Sequence, residues 1–119
     1  MPFRDAFIIL QTADLARLSA FYVDRLGFEA GYRWPDHREP AFVVVSLGPF
    51  SIGLSKSDSP APPGRSAVWL YTDDVDAETT TLRRSGVEVV QEPTDTEFGE
   101  RMATVADPDG NLLHLGQAG

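Results

Sequence analysis

The same order of sequence signals occurs twice in this chain of 119 residues. In each copy an Asp precedes a stretch with apolar residues at helical spacing, and a Gly follows it: Asp14 and Gly27 in the first, Asp74 and Gly86 in the second. The two Asp residues lie 60 positions apart, and the Asp-to-Gly distance is 13 in the first copy and 12 in the second. This repetition predicts two modules with the same local structure, each with one helix.

Short apolar or β-branched runs surround both predicted helices. Each copy has one such run before its helix and three after it, which gives the order βαβββ twice. The predicted strands are 6–11, 28–34, 41–47 and 50–56 in the first copy, and 67–72, 87–91, 101–106 and 111–116 in the second. We therefore expect an α+β fold in which two tandem βαβββ modules form a cupped mixed sheet with the helices outside.

Residues 57–66 separate the two copies and contain three prolines with little apolar bulk, as is typical of a solvated connector. We expect a single domain over 1–119, with module 1 at about 1–56, this linker, and module 2 at about 67–119. Two unrelated α+β segments with chance similarity are the alternative.

Composition excludes several classes of protein. The 42% of hydrophobic residues is typical of a globular domain, and no run approaches the roughly 20 apolar residues of a membrane-spanning helix. The first residues lack the features of a secretion signal, so we expect a cytoplasmic location. The absence of cysteine excludes disulfides, thiolate nucleophiles and cysteine-based metal sites.

The formal net charge of −8 opposes binding to nucleic acid, whose affinity for proteins depends on the neutralisation of phosphates. The same charge would attract a cationic ligand. It is also typical of an ordinary acidic cytosolic protein, and that interpretation stays open.

Known catalytic motifs are absent: there is no phosphate-binding loop, nucleophile elbow, metalloprotease helix or dinucleotide fingerprint. Residues 107–110, Asp-Pro-Asp-Gly, are predicted to form a tight turn and not a calcium loop. The two histidines, His37 and His114, have no Ser near them in sequence that would suggest a nucleophile and base.

Aromatic side chains alternate in the strand that opens the second copy. Ala67, Trp69 and Tyr71 are expected on one face, while Val68 and Leu70 point to the other, under the helix. Trp69 and Tyr71 would then form a wall on which a flat ligand could stack. The alternative is that both rings fill a core or a subunit interface.

Three features together carry a resemblance that covers almost the whole chain. They are the βαβββ duplication, the first-copy pattern that ends in Leu26-Gly27-Phe28, and the final segment 107–115, Asp-Pro-Asp-Gly-Asn-Leu-Leu-His-Leu. The chain resembles the glyoxalase, bleomycin-resistance and extradiol-dioxygenase superfamily, also called vicinal oxygen chelate proteins. The resemblance is specific for fold and less so for activity, since this superfamily contains both enzymes and passive binders.

Enzymes of the superfamily hold a divalent metal with His, Gln or Glu at four strand positions. The resemblance places Phe7, Gly53, Ala67 and His114 there, and only His114 can ligate a metal. Gln11 and His37 could ligate but do not match these positions. We therefore expect no metal, no cofactor and no catalytic residue.

The resemblance is closer to bleomycin-resistance proteins, which sequester a drug without altering it. It rests on Tyr32 after Gly27-Phe28, on the strand Trp69-Leu70-Tyr71, and on 98–101, Phe-Gly-Glu-Arg, where those proteins commonly have Trp-Gly and an Arg. Phe98 in place of Trp keeps an aromatic surface but loses an N–H donor, which weakens the expectation of bleomycin itself.

Such proteins are homodimers whose ligand crevices are built from both chains, often with an exchanged N-terminal arm that begins in Pro, as Pro2 would allow. The resemblance implies ten ligand-contacting residues. They are Tyr32, Trp34, Phe42, Ser51, Gly53, Trp69, Tyr71, Phe98, Met102 and His114. Ser51 and Gly53 would leave room where an enzyme has a metal ligand. The alternatives are a strand bulge at Gly53, a purely structural His114, and surface or core roles for Trp34 and Phe42.

The leading hypothesis is therefore non-catalytic sequestration of a bulky aromatic antibiotic, bleomycin-like or enediyne-like, that confers resistance. A metal-dependent lyase, isomerase or dioxygenase of the same superfamily is the first alternative. A metal-free sensor or accessory subunit is another, as is a metal-free acid–base enzyme that uses Glu29, Asp73, Glu88 or Glu100.

Overall fold

The computed structural model describes residues 5–64 and 67–118, and the chain divides into two compact units, Met1–Pro62 and Pro63–Gly119. The boundary between the units falls inside the predicted connector 57–66. Each unit has one helical segment and one four-stranded mixed sheet, so the predicted α+β class and the duplicated βαβββ order are confirmed. In the described part of the chain, no helix has the length and apolar character needed to cross a membrane.

The two units contain the same series of elements. In unit 1 these are β1 Ile8–Thr12, α1 Leu15–Ala20, a π-helical turn Phe21–Arg25, β2 Glu29–Trp34, β3 Phe42–Leu47 and β4 Phe50–Lys56. In unit 2 they are β5 Val68–Tyr71, α2 Val75–Arg84, β6 Glu88–Asp95, β7 Arg101–Ala106 and β8 Leu112–Gln117.

Strand order is also repeated between the units. The first sheet has the order β1-β4-β3-β2 and the second β5-β8-β7-β6. In each sheet the strand before the helix pairs in parallel with the last strand, and the other pairs are antiparallel. The helix is thus part of the crossover that a parallel pair requires.

Both helices begin at the predicted Asp. The side chain of Asp14 accepts a hydrogen bond from the Arg17 N–H, and that of Asp74 accepts one from the Ala77 N–H, each at 3.1 Å. A Thr two residues earlier, Thr12, accepts a hydrogen bond from the Asp14 N–H at 3.1 Å. Thr72 does the same for Asp74 in unit 2. These caps bind backbone donors that the first helical turn leaves unpaired.

The prediction of a single α-helix between Asp14 and Gly27 was wrong at its C-terminal end. After α1 the chain forms a π-helical turn, in which the Leu26 N–H donates to the Phe21 carbonyl at 3.3 Å. A π turn takes one residue more than an α turn. It accounts for the extra residue between Asp14 and Gly27 relative to the second copy, and it buries two successive aromatic residues, Phe21 and Tyr22.

Each sheet has one face under its helix. The buried side chains on that face come from alternate positions of the central strands. They are Val43, Val45, Ile52 and Leu54 in unit 1, under Leu15 and Leu18, and Ala103, Val105, Leu113 and Leu115 in unit 2, under Val75 and Leu82. The residues between them point to the opposite face, which we call the open face of each sheet.

Strand β6 is longer than the predicted 87–91 because it continues through Pro93 to Asp95. A Pro has no N–H for the sheet, so the sequence favoured an end before it. The strand lies at the edge of the sheet, and its pairing with β7 shifts between Gln91 and Thr94, which accommodates Pro93.

The predicted turn between β7 and β8 is confirmed. Asp107 is only 4% exposed, and its Oδ1 accepts hydrogen bonds from the N–H groups of Asp109 and Asn111, each at 2.9 Å. Its Oδ2 accepts a third, from the Asn111 side-chain amide, at 2.8 Å. Gly110 has a φ of 90°, a conformation that glycine adopts without strain. The turn fixes the register of the two strands that carry Thr104 and His114.

Replacing Asp107 should therefore destabilise unit 2. We expect Asp107→Ala to lower the free energy of unfolding by about 2–3 kcal/mol, because three partly buried donors lose a charged acceptor. Asp107→Asn should cost less, since its amide oxygen can still accept from both backbone N–H groups. Urea unfolding followed by circular dichroism measures the difference, with the exposed Asp58→Ala as the control. Equal stability of Asp107→Ala and Asp58→Ala would contradict this role.

Candidate functional site

The open face of the second sheet carries a cluster of aromatic rings. Trp69 and His114 are register partners on β5 and β8, which places their side chains on the same face. The Trp69 ring lies 6.0 Å from the Tyr71 ring, 6.1 Å from the Phe98 ring and 5.7 Å from the His114 ring, measured between centroids. We call Trp69, Tyr71, Phe98 and His114 the aromatic platform.

The outer rings of the platform are exposed. Tyr71 is 67% exposed and Phe98 is 66% exposed, while Trp69 and His114 are half-buried between them. An aromatic ring pair normally contributes to a core or an interface. Here two large rings lie in solvent, so the platform presents apolar area that a ligand could cover.

Gly116 leaves room for the indole of Trp69 to approach the backbone of β8 closely. A Cβ atom at Gly116 would come within 2.3–2.4 Å of three atoms of the indole, Nε1, Cε2 and Cζ2. The indole therefore occupies the space that any other residue at 116 would fill. Nε1 of Trp69 is buried and has no hydrogen-bond partner among the described residues, so the ring is positioned by packing.

His114 is fixed by its neighbour on β7. Thr104 is its register partner, and the Thr104 hydroxyl shares a hydrogen bond of 2.8 Å with Nδ1 of His114. Thr104 was not predicted as part of this cluster, although a signal was present in the sequence, since counting outward from the 107–111 turn pairs 104 with 114. Met102 lies on the same open face, opposite Gly116.

Glu100 joins the platform through Tyr71. The Tyr71 hydroxyl donates to the Glu100 carboxylate, with distances of 3.0 and 3.2 Å to the two oxygens. This hydrogen bond, together with the negative charge of Glu100, raises the pKa of Tyr71 above its ordinary value. From the sequence, Glu100 was named as part of the 98–101 motif and as one of four acid–base candidates, but its contact with Tyr71 was not predicted because nothing local in the sequence connects the two.

The remaining predicted site residues lie in unit 1. Phe42 contacts Tyr32 at a ring-centroid distance of 6.3 Å and Phe7 at 6.5 Å. Trp34 is 55% exposed at the end of β2, as the register partner of Phe42. Ser51 shares a hydrogen bond of 2.8 Å with Ser46, its partner on β3.

Gly53 is covered by these rings. A Cβ atom there would lie 2.7 Å from Cζ of Phe42 and 3.1 Å from Cε2 of Phe7. Pairing is regular through Gly53, with Ile9 on one side and Val44 on the other, so the alternative of a strand bulge was wrong. The space beside Gly53 holds aromatic carbon, and Phe7 was missed as a contributor because it was considered only as a metal position.

A divalent metal does not fit the positions that the resemblance assigned to it. Phe7, Gly53 and Ala67 have no side-chain donor atom, and Phe7 helps to cover Gly53. Nδ1 of His114 is engaged with Thr104. Protein metal sites of this kind use at least three side-chain ligands, so we derive no chemistry from a metal here.

Substitution of the two covered glycines should have different results. Gly116→Ala should displace Trp69, which is held on several sides, and should shift its fluorescence and lower the thermal midpoint. Gly53→Ala meets the outer edge of the Phe42 ring and not the indole, so it should leave Trp69 emission unchanged. Both variants are measured in a Trp34→Phe background, so that the fluorescence comes from Trp69, and each serves as the control for the other. An unchanged spectrum for Gly116→Ala would contradict the proposed packing.

The Tyr71–Glu100 hydrogen bond should be visible in a pH titration. Glu100→Ala should lower the pKa of Tyr71 towards its ordinary value, since both the acceptor and the charge are removed. Because folding raises this pKa, the hydrogen bond stabilises the fold at neutral pH, and its contribution is lost as pH rises through the raised pKa. Tyrosinate absorbance measures the titration, and Tyr71→Phe identifies which transition belongs to Tyr71. Identical curves before and after Glu100→Ala would exclude the coupling.

Comparisons with known proteins agree with this architecture. TnmS3, described as an antibiotic binding protein from Streptomyces sp. CB03234, is 29% identical with a TM-score of 0.80, and the match covers 100% of this chain and 99% of TnmS3. A superfamily member from Sphaerobacter thermophilus is 25% identical with a TM-score of 0.81, covering 98% and 99% of the two chains.

An uncharacterised protein of Mycolicibacterium smegmatis is 30% identical over 106 residues, which is 89% of this chain and 86% of the relative. The family model described as Glyoxalase/Bleomycin resistance protein/Dioxygenase superfamily matches residues 6–115. The repeated βαβββ units and this match over nearly the whole chain together show that the protein belongs to the glyoxalase, bleomycin-resistance and dioxygenase superfamily.

Proposed function

We propose that this protein binds a bulky aromatic antibiotic and sequesters it without changing it. The observation that carries the proposal is the aromatic platform, where Tyr71 and Phe98 are both about two-thirds exposed beside Trp69. Rings in this position gain by stacking on a flat ligand, and no catalytic group is needed for that interaction.

The energetics of such a site are adequate for capture. A stacked ring pair contributes about 0.5–1.5 kcal/mol beyond the burial of apolar area, which itself adds about 25 cal/mol per Å². Several such contacts reach micromolar affinity after the cost of association is subtracted. The net charge of −8 would speed the encounter with a cationic drug.

Unit 1 supports the proposal with a second set of aromatic residues. Tyr32 is 59% exposed and Trp34 is 55% exposed, and Phe42 packs against Tyr32. The lack of side-chain donors at Phe7 and Gly53 favours a contact surface over a metal-dependent enzyme. The similarity to TnmS3, described as an antibiotic binding protein, supports the class of ligand.

A homodimer in the cytoplasm, with the ligand held between chains, is part of this proposal. All ten site residues named from the sequence belong to the proposed contact set. The predicted exchange of an N-terminal arm rests on Pro2, which lies outside the described residues. Sedimentation velocity of the full chain, with and without the drug, tests the assembly.

Titration with metal-free bleomycin and with an enediyne antibiotic tests the function. Trp34 and Trp69 are the two tryptophans, so the tryptophan fluorescence of the Trp34→Phe variant comes from Trp69 on the platform alone. We expect a saturable change in Trp69 emission with micromolar or lower Kd for at least one compound, and chromatography with mass spectrometry should recover that compound unchanged.

Phe98→Ala should weaken this binding by about tenfold, because one stacking surface is lost. Phe50→Ala is the matched control, since Phe50 is also exposed but lies on the helix-facing side of its strand. Absence of saturable binding with every compound, or recovery of a new product, would overturn the proposal.

A further inference from the structure

We propose that Tyr71 and Glu100, with the faces of Trp69 and Phe98, form a subsite for an alkylated ammonium group. This proposal rests on the proposed function in one respect, because the subsite lies on the same aromatic platform. It goes further in that it assigns a chemical group of the ligand to named residues.

The rings provide non-parallel surfaces around Trp69. The Tyr71 ring is inclined at 61° to the Trp69 ring and the Phe98 ring at 52°, with both centroids about 6 Å from that of Trp69. Rings at such angles are not stacked flat on one another, and we call the part of the platform that includes Glu100 its corner. A cation within about 6 Å of several ring faces is attracted by each of them, and this arrangement recognises methylated ammonium groups.

Glu100 supplies a negative charge at this corner. Its carboxylate accepts the hydrogen bond from Tyr71, which uses only part of its capacity of about four lone-pair positions. Among residues 5–64 and 67–118, no Lys, Arg or His forms an ion pair with it. Its charge is therefore available to a ligand.

The adjacent cation is engaged elsewhere. Arg101 follows Glu100 directly, but its guanidinium donates to both carboxylate oxygens of Asp76, at 2.8 and 3.0 Å, and to Asp95 at 3.1 Å. These bonds hold Arg101 against α2 and β6. Since Arg101 is neutralised by two other carboxylates, it does not cancel the field of Glu100.

The loop between β6 and β7 fixes Phe98 and Glu100 before any ligand binds. The Thr96 hydroxyl donates to the Glu100 carbonyl at 2.6 Å, and the Thr96 N–H donates to the same oxygen at 2.9 Å. Gly99 has a φ of 92°, a conformation open to glycine, and this allows the tight turn between Thr96 and Glu100. A loop closed in this way loses little conformational entropy on binding.

The chemistry favours an alkylated ammonium over other cations. A divalent metal takes six or more oxygen ligands or at least three fixed side chains, whereas this corner has one carboxylate and one hydroxyl. A primary ammonium is strongly hydrated, so it loses more hydrogen bonds to water than an alkylated ammonium does when it contacts ring faces. Methyl groups on nitrogen need ring faces and a nearby charge, which are the features present.

Choline and its uncharged carbon analogue, 3,3-dimethylbutan-1-ol, test the proposal on the full chain. Both have the same shape, so the difference between them isolates the charge. In the Trp34→Phe background we expect choline to change Trp69 emission saturably in the millimolar range, and the alcohol to bind at least about fivefold more weakly. Added salt should weaken only the choline binding.

Glu100→Gln keeps a hydrogen-bond acceptor for Tyr71 and removes the charge. It should weaken choline by about fivefold and leave the alcohol unchanged. Glu97→Gln is the matched control, since it removes the same charge from an exposed position three residues away and should change nothing. The proposal is overturned by absence of choline binding, by equal affinity for both probes, or by equal effects of the two substitutions.

The result is separable from the proposed function. Choline binding that depends on Glu100, without any antibiotic binding, would retain this subsite and reject antibiotic capture. Antibiotic binding that is unaffected by Glu100→Gln, with no preference for choline, would retain capture and reject the subsite.

Discussion

Each four-stranded sheet has a single helix to cover it, and this constraint determines the rest of the structure. One face of the sheet is buried under that helix, and this face is formed by alternate residues of the strands, such as Val105 and Leu113 in unit 2. The residues between them must point to the open face. The platform exists because those positions in β5 and β8 hold Trp69, Tyr71 and His114.

Glycine and aromatic residues act together on the open faces. Gly116 lies beneath Trp69, and Gly53 lies beneath Phe42 and Phe7. In both units a ring takes the space of an absent side chain, so the surface of the sheet is covered with aromatic carbon. The positions in β4 and β8 that lack a side chain are thus the positions over which the rings lie.

Much of the fold could be predicted because its signals are local. The caps at Asp14 and Asp74 and the turn at Asp107 depend on residues a few positions apart, and alternation assigned Trp69 and Tyr71 to one face. The π turn after α1 was not predicted, since the spacings of 13 and 12 show one extra residue in the first copy but helical periodicity does not show how the helix accommodates it. The end of β6 was missed because a Pro within a strand favours a break unless that strand is at an edge.

The site was predicted less completely, for a physical reason. Trp69 and Tyr71 follow from strand alternation, and Phe98 and His114 were named from the family resemblance, but the partners that orient these rings come from distant parts of the chain. Glu100 reaches Tyr71 across 29 positions, and Phe7 reaches Phe42 across the sheet of unit 1. Such contacts depend on the tertiary arrangement, which pattern alone does not specify.

The turn at Asp107 has a consequence for how this protein could diversify. Because it sets the register of β7 and β8, the turn also decides which residues of these strands face the core and which face the open side of the sheet. Met102 and His114 are only partly buried and can therefore vary with less effect on the core, whereas Thr104 is itself buried and hydrogen-bonded to His114. Variation of the open face is thus easiest at the positions that packing leaves partly exposed.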